Sequence, residues 1–419
     1  MKSIRVATAT AVAGLVAVCA TAAAVGSTQK SVTISVASLI PGSTQAAIQQ
    51  FNAQVAEFEK ANPSIKVKPV EYQWTGPTFA AKLAAGTLPT VFEVPFTDAR
   101  TLGDNGQLAD LTSAAKALPY FSKYNKAVLA EGTDSKGQIV ALPKGAYAQA
   151  LHYNRKLFAQ AGLDPNKPPT TWAQVAADAL AIHQKTGKAG YVEMAKDDNT
   201  AGWILTTLVY ALGGRMEKGT GKSAVATLNN PQTVAALNLL HHMRWVDNSM
   251  GSNFDPSIYG LAPIPLAKNK NAGVLGGGTL VAVKPSANSA ERAASMKWID
   301  FYYEEPLISK PQAIRNAQTL VANKQPVGVP ALPLFNKQQY DLANTWIKPY
   351  INVPIAQMKP FLTGIFNQQL IPEPEASTQS VYHALDAPVE AVLTNKGADI
   401  QSLLAQANSA AQTAISSGS

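Results

Sequence analysis

The chain has 419 residues, 46% of them apolar and 15% charged, a globular composition that excludes a disordered or fibrous protein. That length exceeds what one compact core usually accommodates, so two lobes are expected. The 35 basic and 27 acidic residues leave a formal net charge of +8, but they are scattered without a basic tract, so the charge carries no nucleic-acid reading.

Residues 1–25 read as a signal peptide: Lys2 and Arg5 precede an acid-free run of apolar and small residues from Val6 to Ala24. Ala20-Thr21-Ala22 and Ala22-Ala23-Ala24 fit small-x-small cleavage. Val16-Ala17-Val18-Cys19 instead has the shape of a bacterial lipoprotein signal, in which Cys19 becomes the lipidated first residue, although Val18 is larger than the small residue expected there. Both ends remain open, and a single lipid chain is a weak anchor. The run falls short of the ~20 clearly apolar residues a membrane span needs. Either way the chain is expected outside the cytoplasm, in the periplasm or on the outer face of the cytoplasmic membrane. Cys19 is the sole cysteine, so no disulfide or thiolate metal site is expected in the folded part.

Residues 32–37 alternate like a strand, and Gly42-Ser43-Thr44 predicts the turn and cap of a helix that runs to about residue 60 and stops at Asn62-Pro63. Residues 65–71 alternate as a second strand, 79–85 predict a helix closed by Gly86, and 90–94 a short buried strand. Strand, helix, strand, helix, strand implies a parallel α/β sheet. Helical material follows at 108–131, then a strand at 138–142. From Ala146 helices dominate, at 154–161, 171–186, 200–212 and 231–246, and a second lobe is expected to begin there. Residues 273–284 predict a strand broken by Gly276-Gly277-Gly278, a candidate crossing between lobes because glycine permits turns that other residues resist. A helix is predicted over 290–303, the Pro-rich stretch 326–333 reads as a return crossing, and the tail is helical over 384–393 and 400–414.

Catalytic signals are weak. The histidines, His152, His183, His241, His242 and His383, include no i, i+4 pair able to grip a metal from one helix face. There is no Gly-x-Ser-x-Gly elbow. Gly219-Thr220-Gly221-Lys222-Ser223 resembles the end of a phosphate loop, but Met216 stands where the leading glycine belongs, and Gly276-Gly277-Gly278 lacks dinucleotide spacing. No cofactor, metal or catalytic residue is therefore assigned. What remains is a set of aromatics near predicted strand ends and lobe junctions: Trp74, Phe96, Tyr147 and Trp203. Sugars pair apolar C–H faces with rings of hydroxyls, so aromatic plates beside carboxylates such as Glu93 and Asp98 would complement them. The alternative is that these aromatics simply fill cores.

Gly137-Gln138-Ile139-Val140-Ala141-Leu142-Pro143, Ala150-Leu151-His152-Tyr153-Asn154-Arg155-Lys156-Leu157-Phe158, Ala161-Gly162-Leu163-Asp164-Pro165 and Pro168-Pro169-Thr170-Thr171-Trp172 closely resemble the extracellular solute-binding proteins of ABC importers, sugar-binding branch. Phe58-Glu59-Lys60-Ala61-Asn62-Pro63, Gly106-Gln107-Leu108-Ala109-Asp110-Leu111 and Thr279-Leu280-Val281-Ala282-Val283-Lys284-Pro285 add to the resemblance. It implies an α/β, two-lobed periplasmic-binding-protein-like fold with hinge strands between the lobes. The first lobe would comprise 31–143 plus 279–325 and the second 144–278 plus 326–419. Such a chain would be a monomer that closes on a carbohydrate by hinge bending and delivers it to ABC permease subunits. Pocket residues implied by the resemblance are Ser43, Thr44, Trp74, Phe96, Asp98, Tyr147, Trp203, Gly277 and Gly278, with Tyr382 a weaker candidate. Pro143 is expected to end the first crossing strand. One departure stands out: the connection 249–256 is too short for the helix and strand that the family normally carries there. Glycerol phosphate or a peptide remains an alternative ligand on the same fold. A secreted glycosidase remains a further reading, though no acidic pair stands out as the dyad it needs.

Overall fold

The computed structural model describes residues 31–193, 199–250 and 259–417. The leader with Cys19, and residues 251–256 of the short connection, lie outside them.

The chain opens with β1 (Val32–Leu39), α1 (Gln45–Ala61), β2 (Ile65–Glu71), α2 (Gly76–Ala84), β3 (Val91–Pro95) and α3 (Phe96–Asp104). β1 lies parallel to β2, with Val32 opposite Ile65, and parallel to β3, with Val36 opposite Val91. Alternation explains the strand: Ile34 and Val36 are fully buried on one face. α1 begins where the Thr44 hydroxyl accepts the Ala47 N–H at 3.3 Å. It buries Phe51 and Phe58, two turns apart, edge-on against the Trp298 ring at 5.7 and 5.2 Å.

Two short helices, α4 (Thr112–Lys116) and α5 (Lys126–Ala130), precede β4 (Ala141–Ala148). Then come β5 (Ala150–Asn154), α6 (Arg155–Gln160), α7 (Trp172–Thr186), α8 (Thr200–Ala211), β6 (Glu217–Lys218), β7 (Val225–Ala226), α9 (Pro231–Trp245) and β8 (Tyr259–Pro263). The path continues through β9 (Val274–Val283), α10 (Ser289–Ile299), α11 (Glu305–Ile308), α12 (Lys310–Ala322), α13 (Lys337–Ile347), α14 (Lys359–Gly364), β10 (Leu370–Pro372), α15 (Thr378–Thr394) and α16 (Ile400–Ser417).

β4 and β9 tie the halves together. β9 runs antiparallel to β3 through residues 279–283 and to β4 from Ala282 back to Gly276, and its start pairs with β10, Val274 opposite Leu370. Two expectations are corrected here. Pro143 does not end the first crossing strand: β4 shifts register between Pro143 and Gly145 and continues to Ala148. Nor do the three glycines break β9. They are glycines because neighbours press on the strand; a Cβ on Gly276 would lie 2.6 Å from the Tyr147 carbonyl oxygen, and one on Gly278 would lie 2.7 Å from the Phe96 ring.

The Pro-rich stretch 326–333 does not cross back either. Beyond it the Leu334 carbonyl accepts the Asn125 N–H at 2.8 Å, Phe335 stacks on Tyr124 at 4.9 Å, and Gln339 on α13 donates to the Leu307 carbonyl at 2.9 Å. This segment therefore stays with α5 and α11. The chain reaches the β5–β8 side only near α14, where Gln368 donates to the Ile264 carbonyl at 2.7 Å. The helix predicted over 290–303 is α10 followed by a π turn, Asp300–Glu304.

In the second lobe, α7 starts with a reciprocal Thr171/Gln174 capping box and ends at Gly187, whose φ of 66° suits glycine. α15 packs on α8, α9 and α16. Among the described residues the β5–β8 sheet has two antiparallel strands, Tyr153 opposite Gly260, which is a small sheet for a lobe of this size.

Candidate ligand-binding site at the hinge strands

Tyr147 sits near the end of β4, opposite Gly277 of β9, and is 38% exposed. Its ring meets Trp203, in the first turn of α8, at 6.2 Å and 79°, so the two aromatics form a corner. The Tyr147 hydroxyl donates to Glu373 Oε2 at 3.1 Å and the Tyr382 hydroxyl donates to Glu373 Oε1 at 2.9 Å. Glu373 follows directly on β10, and Tyr382 is buried on α15. One carboxylate thereby joins a hinge strand to a second-lobe helix.

Gly277 makes this possible. A Cβ there would lie 2.5 Å from both Glu373 Oε2 and the Tyr147 hydroxyl. Burial raises the Glu373 carboxyl above the ordinary range, opposed by the hydrogen bonds from Tyr382 and Tyr147. It pushes the Tyr147 and Tyr382 phenols up as well, with the Glu373 charge adding to both, so at neutral pH they are donors.

A second group lies between α3, the end of α5 and the loop after β10. Arg100 Nε is 4.0 Å from Glu375 Oε1, and its Nη2 donates to the Ala130 carbonyl at 3.4 Å. Burial pushes the Glu131 carboxyl up to about 7, the Glu375 charge adding and Arg100 opposing. Glu217 receives the N–H of Glu375 at 2.5 Å and of Ala376 at 3.1 Å, which fixes the loop.

Of the nine pocket positions expected, the structure brings Tyr147, Trp203 and Gly277 together. Phe96 and Gly278 touch one another, and Phe96, 3% exposed, is a core residue rather than an open plate. Asp98, on the same helix, accepts the Thr97 hydroxyl at 2.8 Å, and its carboxyl is raised by burial. Ser43, Thr44 and Trp74 are engaged locally: Ser43 donates to the Ile40 carbonyl, Thr44 caps α1, and Trp74 packs on Phe79 at 4.7 Å. Glu373, Glu375 and Glu131 were not expected from the sequence. Glu373 and Glu375 have one local signal, Pro372-Glu373-Pro374-Glu375, in which prolines stiffen a strand exit carrying two acids; Glu131 has none. Among the described residues no group of three or more His, Cys, Asp and Glu is arranged to hold a metal ion, and no helix is long and apolar enough to cross a membrane.

Solved structures share this architecture across most of the chain. The cyclic alpha-maltosyl-1,6-maltose binding protein from Arthrobacter globiformis is 18% identical with a TM-score of 0.69, covering 92% of this chain and 99% of that one. The sugar-binding protein MalE from Xanthomonas citri also has a TM-score of 0.69, at 15% identity over 92% of this chain and 98% of its own. UgpB from Mycobacterium tuberculosis, in complex with glycerophosphocholine, has a TM-score of 0.63 at 17% identity, covering 92% and 98%. These likenesses establish the two-lobed periplasmic-binding-protein-like fold. By sequence, the chain is 28% identical over 198 residues to the sn-glycerol-3-phosphate-binding periplasmic protein UgpB of Yersinia pestis and 25% identical over 207 residues to that of Salmonella typhi. These matches span 44% and 46% of the relatives' length, so the chain spans about half the length of the curated relatives it matches. Residues 41–306 match the bacterial extracellular solute-binding protein family, and the chain belongs to that family.

Proposed function

We propose that the protein is an extracytoplasmic receptor that binds a carbohydrate, of disaccharide size or larger, between its lobes and hands it to the permease of an ABC importer. The observation that carries this reading is the Tyr147–Trp203 corner, an exposed tyrosine ring set edge-on to a partly buried tryptophan beside a carboxylate, where β4 pairs with β9. A sugar ring would lay its C–H face on the aromatics and direct its hydroxyls to the acceptors around them. Closure would bend β4 and β9, with the first lobe comprising 31–143 plus 279 to about 347 and the second 144–278 plus the remainder; the second boundary follows the position of α13 beside α11. In this reading the leader exports the chain, Cys19 is either removed or lipidated, and the mature protein acts as a monomer without enzymatic activity.

Glycerol phosphate, which the UgpB relatives are named for, fits less well. A phosphate wants an uncommitted guanidinium or helix N-terminus, and Arg100 already faces Glu375 and the Ala130 carbonyl. The test is a thermal-shift and calorimetric screen of the chain without residues 1–25 against disaccharides, oligosaccharides, glycerol phosphates and short peptides, beside Trp203→Ala. A ligand at a hundred times its Kd adds about 2.7 kcal/mol to stability. A shift with one sugar class that Trp203→Ala abolishes is expected. Binding of phosphate esters or peptides alone, or sugar binding indifferent to Trp203→Ala, would overturn the proposal.

A further inference from the structure

The aromatic corner says that a flat apolar face is bound; the polar groups around it say which hydrogens the ligand must bring. Tyr147 and Tyr382 each have one hydroxyl proton, and both are given to Glu373. Arg100 is turned to Glu375 and the Ala130 carbonyl, and Lys144, on β4, is paired with Glu93 at 2.5 Å. What Tyr147 and Glu373 still offer are lone pairs, on the Glu373 oxygens and on the Tyr147 phenol oxygen. Glu373 cannot swing aside freely, because it is tied at both oxygens and lies against Gly277. Further carboxylates gather two residues on, where Glu217 accepts the Glu375 N–H and the Glu375 charge acts on Glu131 at the end of α5.

We infer that Glu373 is a specificity-determining residue: held by Tyr147 and Tyr382, it makes the corner accept a ligand group that donates hydrogen bonds, a sugar hydroxyl or ammonium, and reject a phosphate ester. This rests on the carbohydrate-receptor reading and deepens it. A hydroxyl gives its proton to a fixed carboxylate in a charge-assisted bond, whereas a phosphate brings further lone pairs and negative charge to an acceptor whose partners among the described residues are two tyrosine hydroxyls and no cation. Glu373 acts on the ligand directly, and the two tyrosines act as positioning residues for it.

The experiment is calorimetric titration of wild type, Glu373→Gln and Tyr382→Phe with maltose, cellobiose, trehalose, the glucosamine disaccharide, maltose 1-phosphate and sn-glycerol 3-phosphate. The neutral and amino arms distinguish a hydroxyl from an ammonium donor. Wild type is expected to bind a neutral or amino sugar and to reject both phosphate esters. Glu373→Gln should weaken the preferred sugar about 10- to 100-fold, the worth of a hydrogen bond to a charged group, and narrow the gap to the phosphate esters. A purely structural role would lower the melting temperature of the free protein and leave the ligand ranking intact, so an unchanged ranking in Glu373→Gln overturns the inference. Tighter binding of a phosphate ester than of its sugar by wild type overturns it too. If sugars bind and Trp203→Ala abolishes binding while Glu373→Gln does not alter the ranking, this inference fails alone. If no compound binds, the receptor reading fails and takes it along.

Discussion

Asp386 offers a sharp test of how the second lobe holds its aromatic residue. α8 starts after Asn199, whose backbone is left-handed at φ 73° and whose side chain does not cap the helix. The missing cap comes from α15 instead: Asp386, 3% exposed, accepts the Asn199 N–H on Oδ2 and the Gly202 N–H on Oδ1, both at 2.8 Å. One carboxylate therefore satisfies two of the donors that every helix N-terminus leaves unpaired, and places its charge at the positive end of the helix dipole. Hydrogen bonds to a charged group contribute about 1.5–3 kcal/mol each. Allowing for water reaching the half-buried Asn199 end, Asp386→Ala should cost about 3–5 kcal/mol. Asp386→Asn, which keeps one good acceptor, should cost about half as much. Urea unfolding followed by tryptophan fluorescence reads both losses as a lower midpoint at constant slope. Trp203 lies one residue beyond Gly202, so ligand affinity should fall in Asp386→Asn under conditions where the protein remains folded. A loss below about 1 kcal/mol in Asp386→Ala would refute the capping argument, since the Asn199 side chain does not cap the helix.

The same helix pair gives a second test. A Cβ on Gly202 would run into the backbone of Tyr382, 2.7 Å from its carbonyl carbon, so Gly202→Ala must push α8 and α15 apart and should cost about 1–3 kcal/mol by overpacking; a melting temperature equal to wild type would contradict it. The pH dependence of stability is a third. Burial pushes the Glu304 carboxyl up to about 8, with Asp300 adding and Tyr124 opposing, and burial likewise brings Glu193 and Glu131 to about 7. Between the ordinary carboxyl range and these values the native state keeps protons that the unfolded chain has released, so this stability is fully present in acid and is lost as pH rises through about 7 to 8. The melting temperature should fall over that window and the fall should shrink in Glu304→Gln; a curve that rises there, or is unchanged by the substitution, would refute the assignment.

Much of the fold was legible locally. β1 and β2 announce themselves by alternation, and α1, α7 and α9 by apolar spacing between a polar cap and a stop. In each case the residues that form the element also carry its signal. β4 was harder: Pro143 looks like an end, but a register shift absorbs it. β10 has three residues and no pattern of its own, since it exists only by pairing with β9. The site divides in the same way. Tyr147 and Trp203 were legible as aromatics at the edges of predicted elements, within a resemblance covering most of the chain. Trp74 carries the same aromatic signal, and Ser43 and Thr44 entered through the resemblance alone, yet all three side chains are taken up in their own turns and packing.

The sequence by itself determined the α/β alternation, the order of the helices and the caps that start them, because those depend on residues a few positions apart. Only the tertiary structure decided that the glycines of β9 are close-packing rather than turn-forming, that Asp386 caps α8 from another helix, and that Glu373 joins Tyr147 to Tyr382. The residues involved stand 226 and 9 positions from Glu373, and 184 positions separate Gly202 from Asp386. Over the longer of these separations the meeting of two side chains is set by how sheets and helices pack, and spacing along the chain carries no trace of it.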